Sequence, residues 1–375
     1  MLSKKRIVFL TGTRADFGKL KSLIEITNQS PDLEVHIFAT GMHMQAKYGG
    51  TVNEIEKCGY PNIYKFINHS TEDRMDLVLS RTIEGLSGYC QEIKPDLIIV
   101  HGDRVEAMAG AIVGALNNIL VAHIEGGEIS GTIDELIRHA VSKMSHLHFV
   151  AHEDAKRRLV QMGEYEGCIH VIGSPDVDLM LSDKLPTLES VKQHYDIRFS
   201  EFAIVMFHPV TTEVESMEQY ANNFVDALEM SDLNYVVIYP NNDMGSSDIF
   251  RAYERLHNKP KFRLFPSIRF ESFLTLLKHA RFIIGNSSSG IREAPYYGIP
   301  AVNVGTRQFR RAVHGDIINT TYETKDVARG IETALHSKPK AVDMYGKGNS
   351  DVQFRDILMS PDFWQVSKQK HFKDI

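Results

Sequence analysis

The stretch Asp96–His123, DLIIVHGDRVEAMAGAIVGALNNILVAH, decides the fold. Asp96–Val100 and Ile119–His123 are short β-branched runs without the period-two alternation of a half-exposed strand, so each reads as a strand buried on both faces. Val105–Leu116 between them is a helical candidate. A strand, a helix and a second strand of this kind make one crossover of a parallel sheet, because parallel neighbours need a connection long enough to carry the chain back.

Working outward, the alternation continues in both directions. Arg6–Leu10 and Leu33–Ala39 read as strands on the N-terminal side, with helices over Gly18–Asn28, Gln45–Lys57 and Met75–Ile93. Beyond His123 come strands Leu147–Val150 and His170–Ile172, with helices over Thr132–Met144 and Glu153–Met162. A polar segment near Leu181–Pro186 interrupts the series. Strands then resume at Phe202–Phe207, Tyr235–Tyr239, Phe262–Phe265, Phe282–Ile284 and Ala301–Val304. The pattern predicts an α/β chain of two doubly wound domains, residues 1–183 and 184–350. Residues 351–375 show no strand, hold the only tryptophan, Trp364, and read as helices packing back across the domain boundary. No tandem repeat or heptad pattern is present.

A chain of 375 residues, 43% hydrophobic, can bury two cores of ordinary size. Its formal charge of −6 and lack of a Lys/Arg block argue against a nucleic-acid partner, which would need a basic face. Cys58, Cys90 and Cys168 lie far apart with no CxxC spacing, which points to a reducing cytoplasm rather than a disulfide or zinc framework. The basic start is followed by apolar residues only over Ile7–Leu10, too few for a signal core or a membrane span.

Ends of strands in an open parallel sheet face the ligand crevice, and acidic residues crowd there. Asp103 lies in His101-Gly-Asp-Arg104, Glu125 and Glu128 in His123-Ile-Glu-Gly-Gly-Glu128, and Asp134 in Asp134-Glu-Leu-Ile-Arg-His139. Like charges held close cannot all ionise near neutrality, so one carboxyl can act as acid and another as base. Thr132-Ile-Asp-Glu135 reads as a capping box, and Arg138 one turn beyond Asp134 offers a plain i,i+4 ion pair as the competing explanation of that residue. Gly126-Gly127 permits close approach of backbone and substrate. A metal site is conceivable but ranks lower, since no compact ligand spacing is evident.

Two loops suit phosphate. Thr11-Gly-Thr-Arg-Ala-Asp-Phe-Gly-Lys19 puts two glycines and Arg14 between a strand and a helix, although it fits neither the GxGxxG nor the P-loop spacing, and a simple turn explains it equally well. Gly285-Asn-Ser-Ser-Ser-Gly290 is the better anion loop, with Ser287 and Ser288 at a helix start. Glu293, one turn on, is suited to ribose hydroxyls, with a solvated glutamate as its competitor. His208, after the first strand of the second half, can meet a diphosphate or shuttle a proton. Arg307 is either a further cation for phosphate or a surface ion pair. His146, His148 and His152, on or beside a buried-looking strand, read as structural.

Taken together, Gly12-Thr-Arg-Ala-Asp16, His101–Arg104, His123–Glu128, Asp134–His139, His208-Pro-Val-Thr-Thr212, Asn286-Ser-Ser288 and Gly305-Thr-Arg-Gln308 resemble the UDP-N-acetylglucosamine 2-epimerase family, most closely its hydrolysing branch. The likeness runs over nearly the whole chain. It implies two Rossmann-like domains in a glycosyltransferase-B-like fold, with the active site in the interdomain cleft, nucleotide on the C-terminal domain and sugar facing the N-terminal carboxylates. Relatives that isomerise without hydrolysis carry a different loop where this chain has Ile124–Glu128.

The resemblance also implies the reaction. A base removes the C2 proton of UDP-N-acetylglucosamine while UDP leaves C1, and water adds to the resulting 2-acetamidoglucal to give N-acetylmannosamine for bacterial sialic-acid and capsule synthesis. Asp103, Glu125, Glu128 and Asp134 would carry the proton transfers, with His208 beside the diphosphate or acting as an acid. Arg14, Ser287, Ser288 and Arg307 would hold the diphosphate, Glu293 the ribose, and Asn241 with Arg104 the sugar-phosphate region; Lys19 and His43 are weaker assignments. No cofactor is required, and a homo-oligomer, dimer or tetramer, is expected. A hydrolase of UDP-2,4-diacetamido-trideoxy sugars and a glycosyltransferase of the same fold are the competing enzyme readings, and a nucleotide-sugar binding module is the non-enzymatic one.

Overall fold

The computed structural model describes residues 4–69, 74–130, 133–308 and 317–374. The chain divides into two compact units: Met1–Glu128, Asp134–Asp183 and Met344–Ile375 form one, Ile129–Ile133 and Lys184–Asp343 the other.

The first unit runs β1 (Lys5–Thr11), α1 (Arg14–Asn28), β2 (Leu33–Ala39), α2 (Val52–Lys57), β3 (Ile63–Lys65), α3 (Met75–Ile93), β4 (Leu97–His101), α4 (Val105–Leu116), β5 (Leu120–Ile124), α5 (Ile133–Met144), β6 (Leu147–Val150), α6 (Glu153–Gln161), β7 (Ile169–Val171) and α7 (Pro175–Met180). Its seven strands lie in the order β3-β2-β1-β4-β5-β6-β7, and every neighbouring pair is parallel. The unbroken apolar runs fill the middle of this sheet: Ile7, Phe9, Ile37, Leu97, Ile99 and Ala122 are all buried in one core.

The second unit runs α8 (Leu188–His194), β8 (Ala203–Met206), α9 (Met217–Met230), β9 (Tyr235–Ile238), α10 (Ser246–Tyr253), β10 (Phe262–Phe265), α11 (Phe270–Lys278), β11 (Ile283–Gly285), α12 (Glu293–Tyr296), β12 (Ala301–Val304), β13 (Ile317–Thr320) and α13 (Thr324–His336). Its parallel strands follow the order β10-β9-β8-β11-β12-β13. Phe207, Phe224, Tyr235, Val237, Phe282 and Ile284 pack its core. After it, α14 (Ser350–Leu358) and a 3₁₀ turn over Pro361–Gln365 return to the first unit, where Phe354, Leu358 and Phe363 are buried beside Phe149.

Several expectations need correction. Helix α1 begins at Arg14 rather than Gly18, because Thr13 accepts from the Asp16 amide and the Asp16 carboxylate accepts from the Thr13 amide, a reciprocal capping box. Gln45–Lys57 is not one helix: two 3₁₀ turns and left-handed Gly49 and Gly50 precede α2. The short edge strands β3 and β13 escape notice in the sequence because they are three and four residues long, only partly buried, and carry no long apolar run. Thr132 of the expected capping box lies outside the described residues. Among the described residues, no helix is long and apolar enough to cross a membrane.

Each sheet has its switch of winding direction beside its first strand, between β1 and β4 in one unit and between β8 and β11 in the other. Helices cannot cover the carboxyl ends there, so a crevice opens at that point. The residues that follow those four strands are the motifs singled out in the sequence.

Candidate active site

Glu125 stands directly after β5 with φ of 65°, a left-handed conformation that is uncommon for a residue bearing a side chain. The strained turn brings its carboxylate into the interior, where it is 5% exposed. Ser174 Oγ donates to Oε1 at 2.7 Å, His101 Nε2 lies 3.3 Å from Oε2, and Lys19 Nζ lies 4.0 Å from the same oxygen. Lys19, from the second turn of α1, is also 3.1 Å from Asp176 Oδ2 in α7. Glu125 is therefore no solvated surface acid.

Asp103 follows β4 and is gripped by Arg138 of α5, whose Nη1 also donates to the Glu128 carbonyl at 3.2 Å. The sequence offers Asp134, in the first turn of the same helix, as a partner of Arg138; in the fold the guanidinium also reaches across to Asp103. Glu128 Oε1 lies 3.0 Å from His152 Nε2, so a histidine read as structural in the sequence faces one of the candidate acids. His123, buried on β5, donates from Nε2 to the Gly102 carbonyl at 2.8 Å and thereby holds the turn that carries Asp103. Burial pushes its pKa down to about 3, which keeps the ring neutral. Gly127, at φ of 77°, has no room for a side chain because a Cβ would stand 2.3 Å from the Ala155 carbonyl oxygen. That close approach is made to the protein's own backbone.

At the end of β1, Arg14 pairs with Glu54 of α2. His43 is almost wholly enclosed, with Nε2 3.0 Å from Thr11 Oγ1 and Nδ1 2.7 Å from Thr51 Oγ1. Both ring nitrogens thus engage the fold, and burial lowers its pKa to about 4. Arg104 sits at the start of α4, its Nε 3.3 Å from Glu106 Oε2. Glu106 is itself buried and packs against Gly12 and Gly41.

In the second unit, Asn286 joins the loops after β8 and β11. It is wholly buried, and its side chain accepts from the His208 amide at 2.7 Å and donates to the His208 carbonyl at 2.8 Å. Its own carbonyl accepts from Arg307 at 3.3 Å and Gln308 at 2.7 Å. The Asn241 amide donates to His208 Nδ1 at 3.1 Å, which sets the neutral ring as the Nε2–H tautomer. Ser287 caps the 3₁₀ turn Ser288–Gly290, and Glu293 opens α12 in a buried position, against the reading of a solvated glutamate. The Arg307 loop is braced by Glu213, which accepts from Thr306 Oγ1 at 2.6 Å and Tyr322 Oη at 2.9 Å.

Sequence reasoning passes over Ser174, Asp176, Arg138, His152 and Glu106 as site residues. Ser174 and Asp176 carry a usable signal: they follow the foreseen strand at His170–Ile172, and the rule that strand ends face the crevice applies there too. Arg138 and His152 are legible only once the helices are packed.

Two parallel α/β units of Rossmann type, each gathering polar side chains at its switch point, define a glycosyltransferase-B-like protein. Residues 25–359 match the UDP-N-acetylglucosamine 2-epimerase family, and the chain belongs to that family. It is 50% identical to the UDP-N-acetylglucosamine 2-epimerase of Neisseria meningitidis serogroup B, over 99% of both chains. It is 33% identical to the UDP-N,N'-diacetylbacillosamine 2-epimerase (hydrolyzing) of Legionella pneumophila, over 94% of this chain and 95% of that one. In fold it is similar to the UDP-GlcNAc 2-epimerase of Methanocaldococcus jannaschii solved with UDP-GlcNAc and UDP, with a TM-score of 0.79 at 21% identity over 94% of this chain and 99% of that one.

Proposed function

We propose that this chain is a hydrolysing UDP-N-acetylglucosamine 2-epimerase that converts UDP-N-acetylglucosamine and water to N-acetylmannosamine and UDP. The observation that carries the reading is the buried Glu125 carboxylate, hydrogen-bonded by Ser174 and flanked by His101 and Lys19 at a strained strand end. A C2 proton beside an acetamido group is weakly acidic, so its removal needs a base fixed in a water-poor setting and a stabilised leaving group.

A carboxylate takes the C2 proton, the C2–H electron pair forms the C1–C2 double bond, and the C1–O bond breaks to release UDP. Water then gives its hydroxyl to C1, and C2 is protonated on the opposite face. Glu125 is the first candidate for one proton transfer, with Asp103, Glu128 and Asp134 serving the others. Arg14, Ser287, Ser288, Arg307 and His208 hold the diphosphate. Glu293 binds the ribose, and Asn241 with Arg104 the sugar phosphate. The likeness to the Neisseria protein supports this substrate, and the loop Ile124–Glu128 with the likeness to the hydrolysing Legionella relative supports the hydrolysing outcome. The enzyme would act in the cytoplasm as a homo-oligomer, supplying N-acetylmannosamine for sialic-acid and surface-polysaccharide synthesis.

A second reading, hydrolysis of a UDP-2,4-diacetamido sugar, draws support from the Legionella relative. Proton NMR of the purified enzyme with each sugar nucleotide separates them. Free N-acetylmannosamine and UDP from UDP-N-acetylglucosamine are expected. Accumulation of UDP-N-acetylmannosamine, or turnover confined to the diacetamido substrate, would overturn the reading.

A further inference from the structure

Side chains from three segments close on the Glu125 carboxylate: Lys19 from α1, His101 at the end of β4 and Ser174 before α7. Behind Lys19 stands Asp176, in the first turn of α7 and 2% exposed. The Lys19 ammonium is nearer to Asp176, at 3.1 Å, than to Glu125, at 4.0 Å. We propose that Asp176, through the ammonium it holds, is a positioning residue for the Glu125 carboxylate. This rests on the reading of Glu125 as a proton-transfer group.

A buried carboxylate with no cation nearby takes up a proton and is lost as a base, while one in full contact with an ammonium is too weak a base. Asp176 sets the position between those extremes, because it takes the closer contact and keeps Lys19 a step away from Glu125. The post is rigid. Two residues along α7, Asp178 accepts from the Ser350 amide at 2.8 Å and the Asp351 amide at 3.0 Å, which ties α7 to the start of α14. His101 on β4 also faces Glu125, and His123 on β5, held neutral by burial, lies close enough to feel its charge.

The full-length enzyme with Asp176→Asn, Asp176→Glu, Lys19→Met and the Asp176→Asn/Lys19→Met pair tests this. Asp176→Asn lets Lys19 close on Glu125, so kcat for UDP release falls about tenfold or more while KM stays within about twofold. The acid limb of the kcat profile moves to lower pH by about one unit, and Asp176→Glu restores much of the rate. The double variant loses no more than Lys19→Met alone, because the two residues act on one path. Losses that multiply, or an unchanged pH profile, would overturn the proposal.

Carboxyl carbon-13 NMR of glutamate-labelled enzyme, with the Glu125 signal assigned by Glu125→Gln, reads the same coupling without turnover. The titration midpoint falls in Asp176→Asn and rises in Lys19→Met. Should Asp176→Asn fail to fold, the Lys19→Met arm still decides, and an unmoved midpoint there overturns the proposal. Wild-type enzyme that releases no UDP from UDP-N-acetylglucosamine would instead sink the proposed function and leave the NMR result standing by itself.

Discussion

Arg138 closes an ion pair on Asp103 and donates to the Glu128 carbonyl through its other terminal nitrogen. One buried guanidinium of α5 therefore fixes two candidate acids, one by its side chain and one by its backbone. Arg138→Met should lower kcat by about 100-fold, the scale of losing a positioned acid or base. Breaking a buried pair costs about 3–5 kcal/mol, and less here because Asp103 is 26% exposed. UDP affinity by calorimetry should stay near wild type; a variant that binds UDP poorly yet turns over normally would refute this role.

Asn286 crosslinks the two loops after β8 and β11 through both of its side-chain groups. In Asn286→Ala the His208 amide and carbonyl lose their partners, at a cost of about 1–3 kcal/mol for each buried group left unsatisfied. UDP binding should weaken at least about tenfold, which is about 1.4 kcal/mol. Calorimetric titration with UDP reads this directly, and an unchanged affinity would remove Asn286 from the binding scaffold.

The central strands are legible because burial on both faces writes itself as an unbroken apolar run, as in Leu97–Val100 and Tyr235–Ile238. Edge strands such as β3 leave no such mark. Among candidate site residues, those at ends of foreseen strands, Asp103, Glu125 and His208, can be named from position alone. Arg138 and His152 cannot: their partners lie 35 and 24 residues away in sequence, and the pairing depends on how α5 and α6 pack. Asp16 illustrates the converse. Its capping role is written locally in Thr13–Asp16, yet glycines on either side suggest a longer loop.

Acid should loosen the first unit in two stages. His43 and His123 have folded pKa values pushed by burial from 6.5 to about 4 and about 3, so the unfolded chain takes up those protons first. The contribution of each ring is full above pH 6.5 and is lost as the pH drops toward its folded pKa, at about 1.4 kcal/mol for every pH unit crossed. Burial works to raise the Glu164 carboxyl, but its hydrogen bond and charge contact with His148, and then Lys370, outweigh this and hold it at about 2. Its contribution is present above pH 4.5 and is lost as the pH falls toward 2. Urea midpoints should therefore drop between pH 7 and pH 5, and drop less in His43→Gln. Equal midpoints would contradict the assignment.

Lys370 in the C-terminal tail caps α5. Its ammonium donates to the carbonyls of Lys143 at 3.0 Å and Ser145 at 2.6 Å and pairs with buried Glu164. Lys370→Met should cost about 1.5–3 kcal/mol, the range for hydrogen bonds to a charged group. Hydrogen exchange should show the last turn of α5 opening faster than in wild type, and unchanged protection there would show that the tail does not hold the helix.

Turnover of UDP-N-acetylglucosamine in deuterium oxide tests the central claim, that carboxylates of the first unit remove and replace the C2 proton during UDP loss. The account predicts N-acetylmannosamine carrying one deuterium at C2, with UDP formed in equal amount. N-acetylmannosamine that retains protium at C2 would contradict it.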